Sequence, residues 1–481
     1  MRLINPLIIL RILSNIMVLE TIAFLLCLPV VLIYDEPLLP FIASSVATGL
    51  LFIVLRVITR KADYSQMSNR DGFMAVTLSW LLFSAMGTLP YLISNSVPSF
   101  TDAFFESASG FTTTGASILS DIEALPYSVL FWRSLTHWIG GIGIIVLVII
   151  VLPSLKMSAQ QLLVLESSLK EKIHPRTKAI GFRLLMIYLG LTILEIIFLS
   201  MGDMNLFDSV CHTFGTVATG GFSTKNTSIA GFSSYTQYVI ALFMLLAGVS
   251  YVVYYHIIKL QFSKVRRNEE LWFYLGVILV MGVITTLILI VQSNKPVEPA
   301  FRHSFFQVIS IITTTGFITS DYLQWPATGI ILVFILLFAG ASTGSSTGSI
   351  KMARHLLIIK NISNTFKKLT HSSAVTQVKL NGKPVSDETS NSVLSFMVLY
   401  FFIFLIGTIL IVLTGLDPVT AASGAATSLG NIGPGLGSIG PVYNYSHLPQ
   451  ITKLIFSLLM IIGRLEIITV IALFSKSFWR L

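Results

Sequence analysis

The sequence predicts an all-α polytopic membrane protein. Four pseudo-symmetric M1–pore loop–M2 repeats surround one pore in this reading, with two extra transmembrane helices ahead of them. Three observations lead there. Mean hydropathy is +0.82 and only 11% of residues are charged, where a soluble chain carries about 25%. Apolar stretches long enough to span a bilayer alternate with stretches that are too short. A small loop pattern ending in glycine recurs four times, each time between a short apolar stretch and a long one.

The elements follow in order. Stretches 7–34 and 38–55 come first, within residues 1–70, joined by the turn Asp35-Glu36-Pro37. Stretch 7–34 is too long for the apolar core of a cleaved leader and no small-residue cleavage site follows it, so it reads as a retained helix. Pore repeat one, 71–156, uses stretches 74–93, 100–108 and 129–152. Repeat two, 180–260, uses 182–201, 206–214 and 238–258. Repeat three, 271–360, uses 271–291, 301–312 and 330–359. Repeat four, 391–481, uses 393–413, 419–429 and 454–474. The middle stretch of each repeat suits a re-entrant half-helix. Irregular backbone at membrane depth survives only where protein or a wet cavity surrounds it, so the four loops should converge. Asp102, Asp208 and Asp417-Pro418 stand at the half-helix starts, as N-cap chemistry asks. Each half-helix then aims its negative C-terminal end inward, toward a cation.

The net charge of +9 is a matter of topology rather than of nucleic acid. Positive residues gather in alternate loops: Arg56, Arg60, Lys61 and Arg70; Lys156, Lys170, Lys172, Arg176 and Lys178; Lys259, Lys264, Arg266 and Arg267; then Lys351, Arg354, Lys360, Lys367, Lys368, Lys379 and Lys383. The opposite loops hold Asp35, Glu36, Asp102, Glu106, Asp121, Glu123, Asp203 and Asp208. This positive-inside pattern puts both termini in the cytoplasm and makes the lipid bilayer the chain's main partner. Cys27 and Cys211 lie in or beside apolar stretches and imply no disulfide framework.

The recurring loop reads Thr112-Thr113-Thr114-Gly115, Val217-Ala218-Thr219-Gly220, Thr313-Thr314-Thr315-Gly316 and Gly430-Asn431-Ile432-Gly433. One such tetrapeptide means nothing; four at the same place in a membrane repeat describe a filter. Glycine takes positive φ without a Cβ penalty, so Gly115, Gly220, Gly316 and Gly433 let successive carbonyls turn toward one axis. The pairs Thr113-Thr114, Ala218-Thr219, Thr314-Thr315 and Asn431-Ile432 would lend rings of backbone carbonyls, the arrangement that binds a potassium ion.

Two further features bear on ion passage. The run 340–349, with Gly340, Ser342, Gly344, Ser345 and Gly348, interrupts the last stretch of repeat three. Its polar backbone needs a wet cavity, which suits a gate below the filter, the alternative being a kink that only packs against its neighbours. The run also matches G-x-S-x-G at Ser342 and Ser346, but an esterase elbow needs a preceding strand and a nearby His and acid. An enzyme is therefore excluded. Arg464 sits within the last apolar stretch, where an unpartnered charge costs several kcal/mol. Glu466 faces elsewhere on a helix and is a poor partner, which points Arg464 into the ion path as an electrostatic barrier, with a salt bridge to another helix as the alternative. A coupled transporter of potassium with proton or sodium is the alternative, but such a protein needs a titratable group near its midplane site, and the loops hold none.

Several phrases resemble the Trk/Ktr/HKT superfamily of cation transporters. They are Arg133-Ser134-Leu135-Thr136-His137-Trp138-Ile139-Gly140-Gly141-Ile142-Gly143, the loop Asn431-Ile432-Gly433-Pro434-Gly435-Leu436-Gly437, and Gly463-Arg464-Leu465-Glu466. The two extra helices are similar to those of its Trk-type membrane subunits. The resemblance implies potassium uptake across a bacterial inner membrane through a gated, channel-like pore, in a homodimer with one pore per subunit. It implies an intramembrane gate at 340–349, an arginine guard at Arg464, and a cytoplasmic TrkA-type nucleotide-binding regulator that takes NAD or ATP/ADP. Glycine at the first filter position, here Gly115, goes with preference for potassium over sodium.

Overall fold

The computed structural model describes residues 4–63, 67–150, 176–371 and 377–479. Lys156, Lys170 and Lys172, with the 151–156 end of repeat one, lie outside the described residues. Helices dominate. The only sheet among the described residues is a two-stranded hairpin, Lys379–Leu380 paired with Lys383–Pro384. Six described helices are long and apolar enough to cross a membrane, or eight if two bent pairs each count as one span.

The first two helices, Pro6–Ile33 and Leu39–Ile58, pack on each other, and the first also lies against repeat one. Each repeat then supplies an outer helix, a pore helix and an inner helix. The outer helices are Asn69–Met86 (extended by Leu89–Ile93), Arg176–Ser200, Glu269–Ser293 and Asp387–Val412. The pore helices are Phe100–Phe111, Leu206–Val217, Val297–Ile312 and Pro418–Gly430. Their 12, 12, 16 and 13 residues are too few to span a bilayer. Buried apolar side chains form two large clusters. One joins repeats two and three; the other joins repeats one and four with the first two helices.

Capping explains several starts. Asp417 accepts from the Thr420 amide at 2.9 Å, ahead of Pro418 at the first helical position. In repeat two the cap is Asn205, which accepts from the Asp208 amide at 2.8 Å; Asp208 itself lies within the first turn. Asp102 is likewise inside its helix and binds Lys453 at 2.6 Å. The first inner helix, Tyr127–Ile150, is capped from a distance: Glu36 accepts from the amides of Tyr127 and Ser128 at 2.6 and 3.0 Å. These contacts satisfy amides that a helix start leaves without partners.

The inner helices depart from the sequence reading. Only the third was expected to break. In repeat two, Ser234–Ala247 and Tyr251–Ile258 meet at a 93° bend, and in repeat four Gln450–Arg464 and Ile468–Phe474 meet at 105°. In repeat three the helix Ala327–Leu336 ends before Gly340, so the break covers 337–351 and the chain resumes as Met352–Thr370.

Neighbouring repeats interlock. Pore helix Phe100–Phe111 lies against the inner helix of repeat four, Leu206–Val217 against that of repeat one, and Val297–Ile312 against that of repeat two. Successive repeats therefore advance around one centre.

Candidate functional site

All four pore helices end in the same turn. Thr113, Thr219, Thr314 and Asn431 take left-handed φ of 52°, 57°, 54° and 55°. Their amides donate to Gly110, Thr216, Ile311 and Ser428 carbonyls at 3.0, 2.9, 2.9 and 3.2 Å. The next amides, of Thr114, Gly220, Thr315 and Ile432, reach the Ser109, Gly215, Ser310 and Thr427 carbonyls at 2.8, 2.7, 2.8 and 2.9 Å. This pair of bonds is a Schellman termination. One residue on, Gly115, Gly221, Gly316 and Gly433 turn left-handed again, with φ of 80°, 80°, 79° and 102°. A left-handed non-glycine costs about 1–2 kcal/mol, and strain of this sort persists where the surroundings impose it.

The loops close on one another. A methyl group built on Gly115 would strike the Gly220 carbonyl oxygen; on Gly221, that of Thr315; on Gly316, that of Ile432; on Gly433, that of Thr114. Each contact pairs a left-handed glycine with the residue that precedes the next loop's left-handed glycine. The sequence runs one, two, three, four and back to one. A closed cycle of four backbone segments, rich in carbonyls and buried in an apolar protein, is suited to replacing the hydration shell of a cation.

This cycle corrects the sequence alignment of loop two by one position. The tetrapeptide pattern equates Ala218-Thr219-Gly220 with Thr113-Thr114-Gly115. The structure equates Thr219-Gly220-Gly221 with them, and Ala218 is the helix cap, as Thr112 and Thr313 are. Two adjacent glycines made the register ambiguous. The His137 ring resolves it: it packs where a Cβ on Gly220 would stand. His137 also spans loops one and two. Its Nδ1 bonds the Gly110 carbonyl at 2.8 Å and its Nε2 accepts from the Phe222 amide at 3.1 Å. In loops three and four the expected Thr314-Thr315-Gly316 and Asn431-Ile432-Gly433 keep their register.

A buried brace stands behind the first two loops. Glu106 accepts from Arg133 Nε at 2.8 Å, from the Ile118 amide at 2.9 Å and from Ser117 Oγ at 3.0 Å. Arg133 also donates to the Ser223 carbonyl at 3.1 Å and lies 4.1 Å from the Phe222 ring centroid. The charge pattern of the sequence puts Glu106 among loop acids, but it is fully buried. The signal was Arg133 within an apolar stretch, since a charge there demands a partner. Tyr445 and Tyr322 donate to the Gly433 and Gly435 carbonyls at 2.8 and 2.7 Å, holding loop four.

The break 337–351 lies against the ends of the second and third pore helices. The Gly348 amide donates to Thr314 Oγ1 at 2.8 Å and Ser346 Oγ to the Val217 carbonyl at 3.1 Å. The Ser342 amide reaches the Gly248 carbonyl and the Tyr251 amide reaches the Gly344 carbonyl, both at 3.1 Å, so the bend of the second inner helix and the break support each other. Ser345 Oγ bonds the Ser342 carbonyl at 2.6 Å. A Cβ on Gly340 would strike the Gly348 carbonyl, across the base of the segment.

Arg464 meets this segment. Its Nη1 donates to the Ser346 carbonyl at 2.8 Å and its Nη2 to the Gly140 carbonyl at 2.9 Å. It pairs with no acid among the described residues. Glu466 turns away to pair with Arg354, which stacks over Phe396 at 3.7 Å. The helix ends at Arg464, so the guanidinium lies at a bend rather than midway along a straight span.

Comparison with known proteins matches this architecture. A family described as TrkH, cation transport protein, matches residues 41–480. The Escherichia coli (strain K12) Trk system potassium uptake protein TrkH is 35% identical over 427 residues, covering 87% of this chain and 88% of that protein. The Halomonas elongata Trk system potassium uptake protein TrkI is 36% identical over 413 residues, covering 85% and 84%. The crystal structure of the potassium transporter TrkH from Vibrio parahaemolyticus superposes with a TM-score of 0.89 at 30% identity, covering 98% of this chain and 99% of that one. With this coverage, and with the same polytopic helical fold, the chain belongs to the TrkH family of cation transport proteins.

Proposed function

We propose that this protein takes up potassium across a bacterial inner membrane through a gated pore formed within one chain. The observation that carries the reading is the closed cycle in which Gly115, Gly221, Gly316 and Gly433 each abut the carbonyl of the next loop. Oxygens so arranged suit a dehydrated monovalent cation, and the relatives above carry potassium uptake in their names. The binding residues are Thr113-Thr114-Gly115, Thr219-Gly220-Gly221, Thr314-Thr315-Gly316 and Asn431-Ile432-Gly433. The segment 337–351 is the gate, and Arg464 is an electrostatic barrier against it. No ionisable residue lies in the four loops, which favours passive conduction over coupling to protons or sodium.

The protein works as a homodimer with both termini cytoplasmic, and its basic cytoplasmic loops receive a TrkA-type nucleotide-binding regulator. Support for this orientation comes from the alternation of basic and acidic loops. The test is rubidium-tracer uptake into liposomes holding the purified full-length protein, with potassium or sodium trapped inside. Uptake driven by trapped potassium alone is expected. Uptake that follows a pH gradient instead would support the coupled transporter, and no uptake in wild type and in Arg464→Ala alike would overturn the reading.

A further inference from the structure

Glu270 is the second residue of the outer helix Glu269–Ser293, and it is buried. One of its oxygens, Oε1, accepts two amides. Thr343 donates at 2.6 Å and Ala353 at 3.0 Å. Thr343 lies in the early part of the break, and Ala353 lies in the first turn of the helix that resumes after it. A single carboxylate oxygen thus holds both ends of the segment. At the base of the segment the backbone is zipped: the Gly340 amide reaches the Ile350 carbonyl at 2.8 Å and the Met352 amide reaches the Ala341 carbonyl at 3.1 Å.

The charge suits the place. The Ala353 amide is one of those that a helix N-terminus leaves without an intrahelical acceptor, and the helix dipole favours an anion there. Lys351, just before that helix start, adds a positive charge near Glu270 while its ammonium donates to the Thr347 carbonyl and to Thr347 Oγ1. The neighbouring Glu269 faces outward. Its carboxylate pairs with Lys360, and its amide donates to Asn381 of the cytoplasmic hairpin at 2.8 Å. Adjacent residues therefore tie the break on one side and the cytoplasmic surface on the other.

We propose that Glu270 is the latch of the 337–351 segment, a positioning residue whose carboxylate sets the ratio of closed to open states. This rests on reading that segment as the gate. Releasing the Thr343 amide from Glu270 frees the early part of the segment to move relative to the helix that follows it. Charge-assisted hydrogen bonds are about twice as strong as neutral ones, so a neutral acceptor holds the closed form less firmly.

The test uses the full-length protein in liposomes with Glu270→Gln, which keeps size and an acceptor oxygen, and Glu270→Ala. Rubidium flux is one readout. The second is the rate at which Ser345→Cys, in a Cys27→Ala, Cys211→Ala background, is labelled by a small cationic thiol reagent. Flux and labelling about tenfold faster in Glu270→Gln, with an unchanged rubidium-to-sodium flux ratio, are expected. A merely structural role would instead lower thermal stability and blur that ratio. Unchanged flux and labelling in a conducting Glu270→Gln protein would overturn the latch while leaving the pore reading intact. Faster labelling without flux in any variant would support the latch and overturn the pore reading.

Discussion

Asn431 joins loop four to loop one through Thr114. Its side-chain amide donates to Thr114 Oγ1 at 3.1 Å and to the Met460 carbonyl of its own inner helix at 2.8 Å. Threonine occupies this left-handed position in the other three loops. The exchange of threonine for asparagine is therefore not a loss: Asn adopts φ of 55° more readily than a β-branched residue, and its longer side chain bridges first and last repeats.

Asn431→Thr should keep the backbone turn, which three threonines already adopt, and lose the bridge. Leaving Thr114 and Met460 short of a partner costs about 1–3 kcal/mol. Conduction should persist with the potassium-to-sodium flux ratio several-fold lower. Competition of sodium against rubidium uptake measures it, and an unchanged ratio would show that the bridge does not shape the filter.

The corrected register separates two neighbouring glycines. Gly221→Ala places a Cβ at φ 80° against the Thr315 carbonyl, so it should abolish selective uptake, as should Gly115→Ala, Gly316→Ala and Gly433→Ala. Gly220→Ala meets the His137 ring rather than a carbonyl of the cycle, and that ring is pinned at both nitrogens, so the methyl strains the tie between loops one and two. It should cost stability and spare part of the flux. Greater damage from Gly220→Ala than from Gly221→Ala would return the register to the sequence pattern.

Removing half of a buried ion pair leaves the other charge stranded, at a cost of about 3–5 kcal/mol. Glu106→Gln and Arg133→Met should each lower the melting temperature in detergent and relax selectivity, because Ser117, Ile118 and Ser223 lose their common anchor. The double replacement should recover part of the stability. Additive losses would argue that the two side chains act independently.

Arg464→Ala frees the Ser346 and Gly140 carbonyls and removes a positive charge beside the segment. Hydrogen bonds to charged groups are worth about 1.5–3 kcal/mol each, so cation flux should rise roughly tenfold or more. Arg464→Lys keeps the charge but not the two-carbonyl fork, and its flux should fall between. Flux reduced in a well-folded Arg464→Ala protein would dismiss the barrier.

Asp203 lies in the loop between Ser200 and the second pore helix. Burial pushes its carboxyl up, but Ser233 and Thr236 donate to it and the net effect holds it below the ordinary value. A carboxyl lowered on folding adds stability above its unfolded value, and that stability is lost as pH falls through the folded value. Wild type and Asp203→Asn should therefore differ in melting temperature by a constant amount down to about pH 4 and converge below it. A gap that closes near neutrality would contradict this.

Local sequence decided much of this protein. Apolar stretches of sufficient length make helices in lipid, short ones make pore helices, and Gly340 through Ser349 cannot continue a helix. The bends at 248–250 and 465–467 were hidden because Gly248-Val249-Ser250 and Leu465-Glu466-Ile467 are locally compatible with helix. Contacts from distant segments stabilise them: the Ser342 amide on the Gly248 carbonyl, and Arg354 on Glu466.

The sequence by itself determined that four small loops occur in four membrane repeats, that residues 340–349 interrupt the third inner helix, and that a lone arginine needs an answer. Only the tertiary structure decided that Gly221 rather than Gly220 carries the turn, that Gly433 closes on Thr114, and that Glu106 and Glu270 are buried anchors. The physical reason is that hydropathy and turn propensity act over a few residues, whereas a carbonyl of loop four and a glycine of loop three become neighbours only once the repeats are arranged around one centre.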